Sequence, residues 1–431
     1  MRQIREKLSQ LLIEFSPVWF LLVLALVLRL FVANQVGNCF ILGTDETNYI
    51  EDLRHLNSPA WNSYSYTGFD GKWPILLKFI YAPAILFLKL GFDYPISLRL
   101  TSILAFIFSG AILWTLLGGP KEREIVKKLL LASYLFFPSL FGWTSMGLRE
   151  GLLFFAISLI FLSFRQKSKV IDVFSVSQFL LGFTILFSLK FYLALQLLVA
   201  VLFVFLLLKF TNIKSVITKI GLIGAILPLL ISLVGSFIPI SYSSVRPPTS
   251  TTSSATILDA NQCIRNDAGG IFRPIIAKVA NLDSPEIKQS DPLYELHATD
   301  LYSNDSKLRP PSNTLLRSFL TLPKGIFIFL LNPLPFVNQH SNFLALLSWE
   351  MLFWFIFYFL TACILFFSIS RKIQPSRIYL IALGFLGIFV CMSALVEINL
   401  GTIFRHRSII LLPGLILIGE YLDSKPKFEK S

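Results

Sequence analysis

Charge is what this chain has least of. Asp, Glu, Lys and Arg make up 15% of it, against about 25% in a soluble domain, while 55% is hydrophobic. That imbalance excludes the two or three soluble domains that 431 residues would otherwise suggest. Cysteine is scarce as well: Cys39, Cys263, Cys363 and Cys391 show neither a CxxC pair nor His/Cys metal spacing. Carboxylates are outnumbered, 25 acidic residues to 38 basic, for a net charge of +13. The basic residues are scattered between apolar runs, not gathered with aromatics on one face, so nucleic acid is not an expected partner. No cleavable leader is expected, because the first apolar run, 17–37, is too long for a signal core and lacks a small-residue cleavage site.

Long apolar stretches take the place of all this, with a mean hydropathy of +0.69. A spanning helix needs about 17 to 25 apolar residues. Candidate runs are 17–37, 75–91, 99–118, 128–143, 150–165, 173–189, 191–208, 219–239, 319–336, 345–369, 377–396 and 405–422. The excess of Lys and Arg in short cytoplasmic loops selects among them. If 75–91 does not cross, the loops around Lys121 to Lys128, Arg165 to Lys169, Lys209 to Lys219 and Arg371 to Arg377, and the tail with Lys425, Lys427 and Lys430, all fall on the side of Arg2, Arg5 and Lys7. The run 75–91, with Lys78 and Lys89 inside it, is then an amphipathic helix in the outer interface. The Pro- and Gly-broken run 319–336 likewise lies at or dips into the outer face.

The expected fold is therefore an all-α polytopic membrane protein of about ten crossings, forming one integral membrane domain over 1–431. It is expected in the cell (inner) membrane with both termini cytoplasmic. Two large extracytoplasmic loops, 38–98 and 240–344, hold Cys39 and Cys263, which could pair in an oxidising compartment.

This topology puts the ionisable residues at the outer ends of helices. Asp45 and Glu46 lie in GTDETNYIEDL after the first helix. Arg99, Arg149 and Glu150, Lys190, Glu350, Glu397, and Arg405, His406 and Arg407 all flank later ones. Charge at a bilayer boundary is costly unless it is paired or lines a wet cavity. Arg and Lys suit a phosphate, and a carboxylate can take a proton from a hydroxyl nucleophile. Together they suggest chemistry on a membrane-anchored phosphate ester. The plainer reading is that Arg and Lys at helix ends reach for lipid headgroups and that acidic loop residues are merely solvated. Glu51 and Asp52 are expected to be such a solvated or interfacial flank. Arg29 lies too deep in the first helix for simple snorkelling, though it could reach the outer surface or a neighbouring helix.

The order of these elements resembles the GT-C superfamily of polytopic glycosyltransferases, which includes lipid-phosphate-sugar-dependent protein mannosyltransferases and aminoarabinose transferases. The matching features are Arg29 late in the first helix, the Asp45-Glu46-Thr47-Asn48-Tyr49 motif, Pro74 opening the interfacial helix, Gly91 and Arg99, and the Arg149-Glu150 pair. The Arg-then-Pro ending FRHRSIILLPGLIL is similar to the last helix of several members. The entry Lys72-Trp73-Pro74-Ile75 departs from the usual His-Pro-Pro-Leu type.

The resemblance implies a polyprenyl-phosphate sugar donor and a hydroxyl acceptor on a lipid-linked glycan, lipid or protein, in cell-surface polysaccharide assembly. It implies Asp45 as general base and Glu46 as alternative base or tuning neighbour. Arg405 and Arg407, then Lys190 and Arg149, would hold the phosphate, with Tyr49, Glu150 and His406 near the substrate. A divalent metal ion stays open as a cofactor, as do a polysaccharide polymerase or ligase and a flippase of lipid-linked sugars as alternative functions.

Overall fold

The computed structural model describes residues 18–36, 44–59, 61–62, 74–118, 123–165, 173–210, parts of 322–331, 342–370, 376–396 and 400–424. The expected span 219–239, most of the second outer loop, and Cys39 and Cys263 with their suggested pairing lie outside them. Among the described residues every regular element is helical. The chain divides into two compact units, 1–34 with 48–190 and 425–431, and 35–47 with 191–424.

In the first unit α1 (Trp19–Val36) is followed by α2 (Thr44–Leu56), whose first turn groups with the second unit. The expected interfacial helix 75–91 is two helices, α3 (Pro74–Ile80) and α4 (Ala82–Lys89). Pro83 accounts for the break, because its missing N–H and its ring cannot continue a helix through the carbonyl four residues earlier. Tyr81 stands at the junction with its side chain buried. Gly91, at φ +93, then turns the chain in the left-handed conformation that suits a helix C-terminus.

Helix α5 (Tyr94–Leu116) opens on Asp93, whose carboxylate accepts from the Ile96 N–H at 2.9 Å. Its start precedes the expected one, so Arg99 lies in the second turn and is fully buried. The run expected to cross at 128–143 is a bent pair, α6 (Glu124–Leu135) and α7 (Pro138–Ser145), at 53°. Pro138 causes this break as Pro83 causes the other. Helices α8 (Glu150–Ser163) and α9 (Val173–Leu189) complete the unit, and α8 packs against both α5 and α9.

Arg29 is buried in the midst of these helices. Its Nε donates to Thr144 Oγ1 at 2.9 Å and its Nη2 to the Leu135 carbonyl at 2.6 Å, while Phe106 and Phe141 flank the guanidinium at 4.5 and 4.7 Å. An Arg in mid-membrane costs about 2.5–3.5 kcal/mol to insert, and a hydrogen bond to a charged group returns about 1.5–3 kcal/mol. Two such bonds suffice to hold it. Leu135 ends α6, so the arginine also satisfies a carbonyl that the bend leaves without its helical partner.

The second unit contains α10 (Phe191–Phe210), α11 (Asn342–Ser370), α12 (Arg377–Val396), α13 (Leu400–Arg407) and α14 (Leu411–Ser424). Helix α12 packs on α10 and α14, and α11 packs on α14. The expected single helix 405–422 is interrupted by a 3-10 turn at Ser408–Ile410, where Pro413 removes the N–H that Ile409 would have received.

Three described helices are long and apolar enough to cross a membrane: Tyr94–Leu116, Ser348–Ser368 and Arg377–Ala394. The bent pair α6–α7 makes a fourth if it is one span. This is a helical membrane protein, but the described helices do not make up the expected ten spans. Apolar runs at 17–37, 150–165, 173–189 and 191–208 appear as shorter apolar helices, and others are split by proline, which a count of hydropathy alone does not register.

Helices α5 and α8 come into close contact at Gly151. A Cβ there would come within 2.0 Å of the Ser102 carbonyl oxygen, a backbone atom that cannot swing aside, whereas Gly142 has open space. Gly151→Ala should therefore lower the thermal unfolding midpoint in detergent, at a cost of about 1–3 kcal/mol. Gly142→Ala should leave it nearly unchanged.

Candidate functional site

The acidic stretch folds as α2, and its burial follows the helical period. Glu46, Tyr49, Ile50, Leu53 and Leu56 are buried, whereas Asn48 and Arg54 are exposed. Asp45 lies on the same helix, but its side chain is outside the described set. Glu51 pairs with Arg54 near the surface, in keeping with the solvated flank expected of it. Asp52 corrects that expectation, because it is fully buried. Its spacing of three residues from Tyr49, and of four from Leu56, places it on the buried side of the helix. That spacing was the available signal.

Asp52 belongs to a buried ionisable cluster in the first unit. Tyr81 is wholly buried, and the charges that act on it come from Tyr49, Arg149, Glu150 and Asp52. Arg149 lies over the Tyr49 ring, 5.9 Å from its centre, within cation–π range. Its Nη1 donates to the Leu189 carbonyl at 2.8 Å. Leu189 is the last residue of α9, so Arg149 caps the end of one helix while it opens the next. Lys190 follows directly and is buried. Glu150, also buried, occupies the first turn of α8, where the helix dipole favours a negative charge.

Arg99 repeats the arrangement of Arg149 on another helix. Its Nη1 donates to the Ala33 carbonyl at 3.1 Å, in the last turn of α1. Among the residues expected at the site, Tyr49, Arg149, Glu150 and, through its neighbour Leu189, Lys190 are thus brought together in the first unit. Tyr81 and Asp52 are the additions that sequence reasoning missed. Nothing in the sequence near Tyr81 marks it except the proline two residues on.

The remaining expected residues lie in the second unit. Arg407 is fully buried, with Nε donating to the Phe329 carbonyl at 2.9 Å and Nη1 at 2.6 Å from Met351 Sδ. His406 Nε2 and the Tyr192 hydroxyl are 3.2 Å apart. Glu350, buried one turn before Trp354, accepts from its indole N–H at 2.9 Å. Arg405 is half-buried. Among the described residues no group of three or more His, Cys, Asp or Glu side chains is placed to hold a metal ion.

The fold and these sites define a helical membrane protein with buried ionisable clusters. No protein family, curated protein or solved structure matches the chain.

Burial, reinforced by the carboxylates and Tyr49, raises the Tyr81 hydroxyl well above its ordinary pKa of 10.0, although Arg149 opposes the shift. The folded protein holds that proton where the unfolded chain releases it, so Tyr81 costs no stability below about pH 10 and an increasing amount above it. Tyr81→Phe should narrow the fall in thermal midpoint between pH 8 and pH 10.5, compared with wild type. An equal fall in both proteins would mean that the hydroxyl is not buried as described.

Proposed function

We propose that this chain is a membrane glycosyltransferase that moves a sugar from a polyprenyl-phosphate donor to a hydroxyl acceptor on the extracytoplasmic face. The acceptor would be a lipid-linked glycan, a lipid or a protein. The observation that carries the reading is the cluster of buried Tyr49, Asp52, Tyr81 and Glu150 around half-buried Arg149. A chain so sparing of charge has no packing reason to bury two carboxyl side chains beside two tyrosines and an arginine. Intramembrane or interfacial ionisable groups of this kind mark functional sites by default. The order of the Asp-Glu-x-x-Tyr, Pro-opened and Arg-Glu elements that resembles GT-C enzymes gives that default a direction.

In the proposed reaction the acceptor oxygen attacks the anomeric carbon opposite the phosphate. The bond from that carbon to the phosphate oxygen breaks, and polyprenyl phosphate leaves with the electron pair. Asp45 takes the acceptor proton, and Glu46, buried on the same helix, tunes it or replaces it. Arg405 and Arg407 are the first candidates for stabilising charge on the leaving phosphate, and Lys190 and Arg149 the next. Attack from the opposite face inverts the anomeric centre.

Cells lacking the protein should accumulate one polyprenyl-phosphate sugar, read by mass spectrometry of extracted lipids. Wild type should clear it, and Asp45→Asn, inserted at wild-type level, should not. Clearance by Asp45→Asn would remove Asp45 from the mechanism, and an unchanged lipid-linked sugar pool in the null cells would sink the reading as a whole.

The sidedness of the proposal, with both termini cytoplasmic and α3–α4 in the outer interface, rests on the Lys/Arg-rich loops. In a protein whose Cys39 and Cys263 are both replaced by Ser, a cysteine at Glu122 should resist an impermeant thiol reagent in intact cells and react after permeabilisation. Ready labelling in intact cells would place that loop outside.

A further inference from the structure

The first unit contains a groove of about 730 Å³ that the proposed reaction does not use. Its walls come from four helices: the start of α1, the second half of α5, α8 from Phe155 onward and the start of α9. Along α5 the lining runs from Ile107 to Thr115, about 12 Å at 1.5 Å per residue. The inner surface is almost wholly apolar, with Leu22, Leu26, Ile107, Ile112 and Phe155 among its lining residues. Trp19, Val23, Phe108 and Phe174 on the same walls are exposed, so the groove opens sideways toward the surrounding medium.

Polar lining groups are few, and they gather where the helices end. Thr115 is in the last turn of α5, Arg165 stands two residues beyond α8, and Gln178 is in the second turn of α9. Arg165 supplies positive charge at that end, and the sequence continues from it with Lys167 and Lys169. Among the described residues no carboxylate lines the groove. An apolar slot with a cationic mouth at a loop end is complementary to one kind of molecule, a lipid with a negatively charged headgroup. Basic pockets between membrane helices on the cytoplasmic side bind such headgroups.

We propose that this groove is a binding site for an anionic glycerophospholipid, with one acyl chain lying along α5 and α8 and the phosphate held at Arg165. A length of about 12 Å fits the upper part of an acyl chain within one leaflet, whose hydrocarbon layer is about 15 Å deep. The donor lipid of the proposed reaction is a poorer occupant. The mouth at Arg165 and the cluster at Arg149 are at opposite ends of the 14-residue α8, about 21 Å apart. A phosphate held at Arg165 therefore cannot also be at the cluster. Only the assignment to the cytoplasmic leaflet rests on the proposed sidedness.

Native mass spectrometry of the full-length protein in mild detergent tests the proposal, with dioleoyl phosphatidylglycerol and dioleoyl phosphatidylcholine as probes. Wild type should retain phosphatidylglycerol in preference to phosphatidylcholine. Arg165→Gln should lower phosphatidylglycerol retention about fivefold, the worth of one basic residue near an anionic surface, and leave phosphatidylcholine unmoved. Ala111→Phe, which fills the groove, should lower both, and the exposed Lys89→Gln outside it should change neither. If Ala111→Phe fails to fold, the Arg165→Gln comparison decides alone. Equal retention of the two lipids by wild type, or insensitivity to Arg165→Gln, would overturn the proposal. So would displacement of bound phosphatidylglycerol by a polyprenyl phosphate, since that would give the groove to the donor. Because the readout involves neither transfer activity nor membrane orientation, its failure is separable from failure of the proposed function.

Discussion

A cation drawn wholly or partly out of water must find partners inside the protein, and four arginines here, three buried and Arg149 half-buried, meet that requirement in one way. Arg29, Arg99, Arg149 and Arg407 each donate to a main-chain carbonyl: those of Leu135, Ala33, Leu189 and Phe329. In the first unit all three acceptors lie in the last turn of a helix, where carbonyls lack an intrahelical donor. Two costs are offset together, the desolvated charge and the unsatisfied backbone group. The interruptions of these helices and the buried arginines are therefore parts of one arrangement.

The candidate site grows out of this arrangement. Arg149 is fixed on the end of α9, and that fixes where it meets the Tyr49 ring on α2. The break at Pro83 sets Tyr81 on the same cluster, and the start of α8 supplies Glu150. Prolines that split apolar runs thus do more than shorten helices. They turn side chains that a continuous helix would carry past the cluster into members of it.

The sequence was most legible where one rule decides the outcome. Apolar runs located α1, α9, α10, α11 and α12 to within a few residues, because an uninterrupted hydrophobic stretch in this setting has no alternative to a helix. It was least legible at Pro83, Pro138 and Pro413, where hydropathy continues across a break that backbone chemistry imposes. Reading GTDETNYIEDL as a loop hid the helical spacing that buries Asp52 and leaves Glu51 near solvent. For Arg29 the sequence told depth but not partner. Its neighbours Thr144, Leu135 and Phe141 lie more than a hundred residues away and are brought to it only by the bend between α6 and α7.

The use of main-chain acceptors has a consequence for how such a protein can vary. Every residue type supplies a carbonyl, so positions 33, 135, 189 and 329 can change identity without loss of the bond, while the arginines facing them cannot be replaced by any other donor of the same reach. Related sequences would then show solitary fixed arginines with no co-varying companion. Pairwise covariation, which detects contacts through compensating changes in two side chains, would be blind to the links that join these helices.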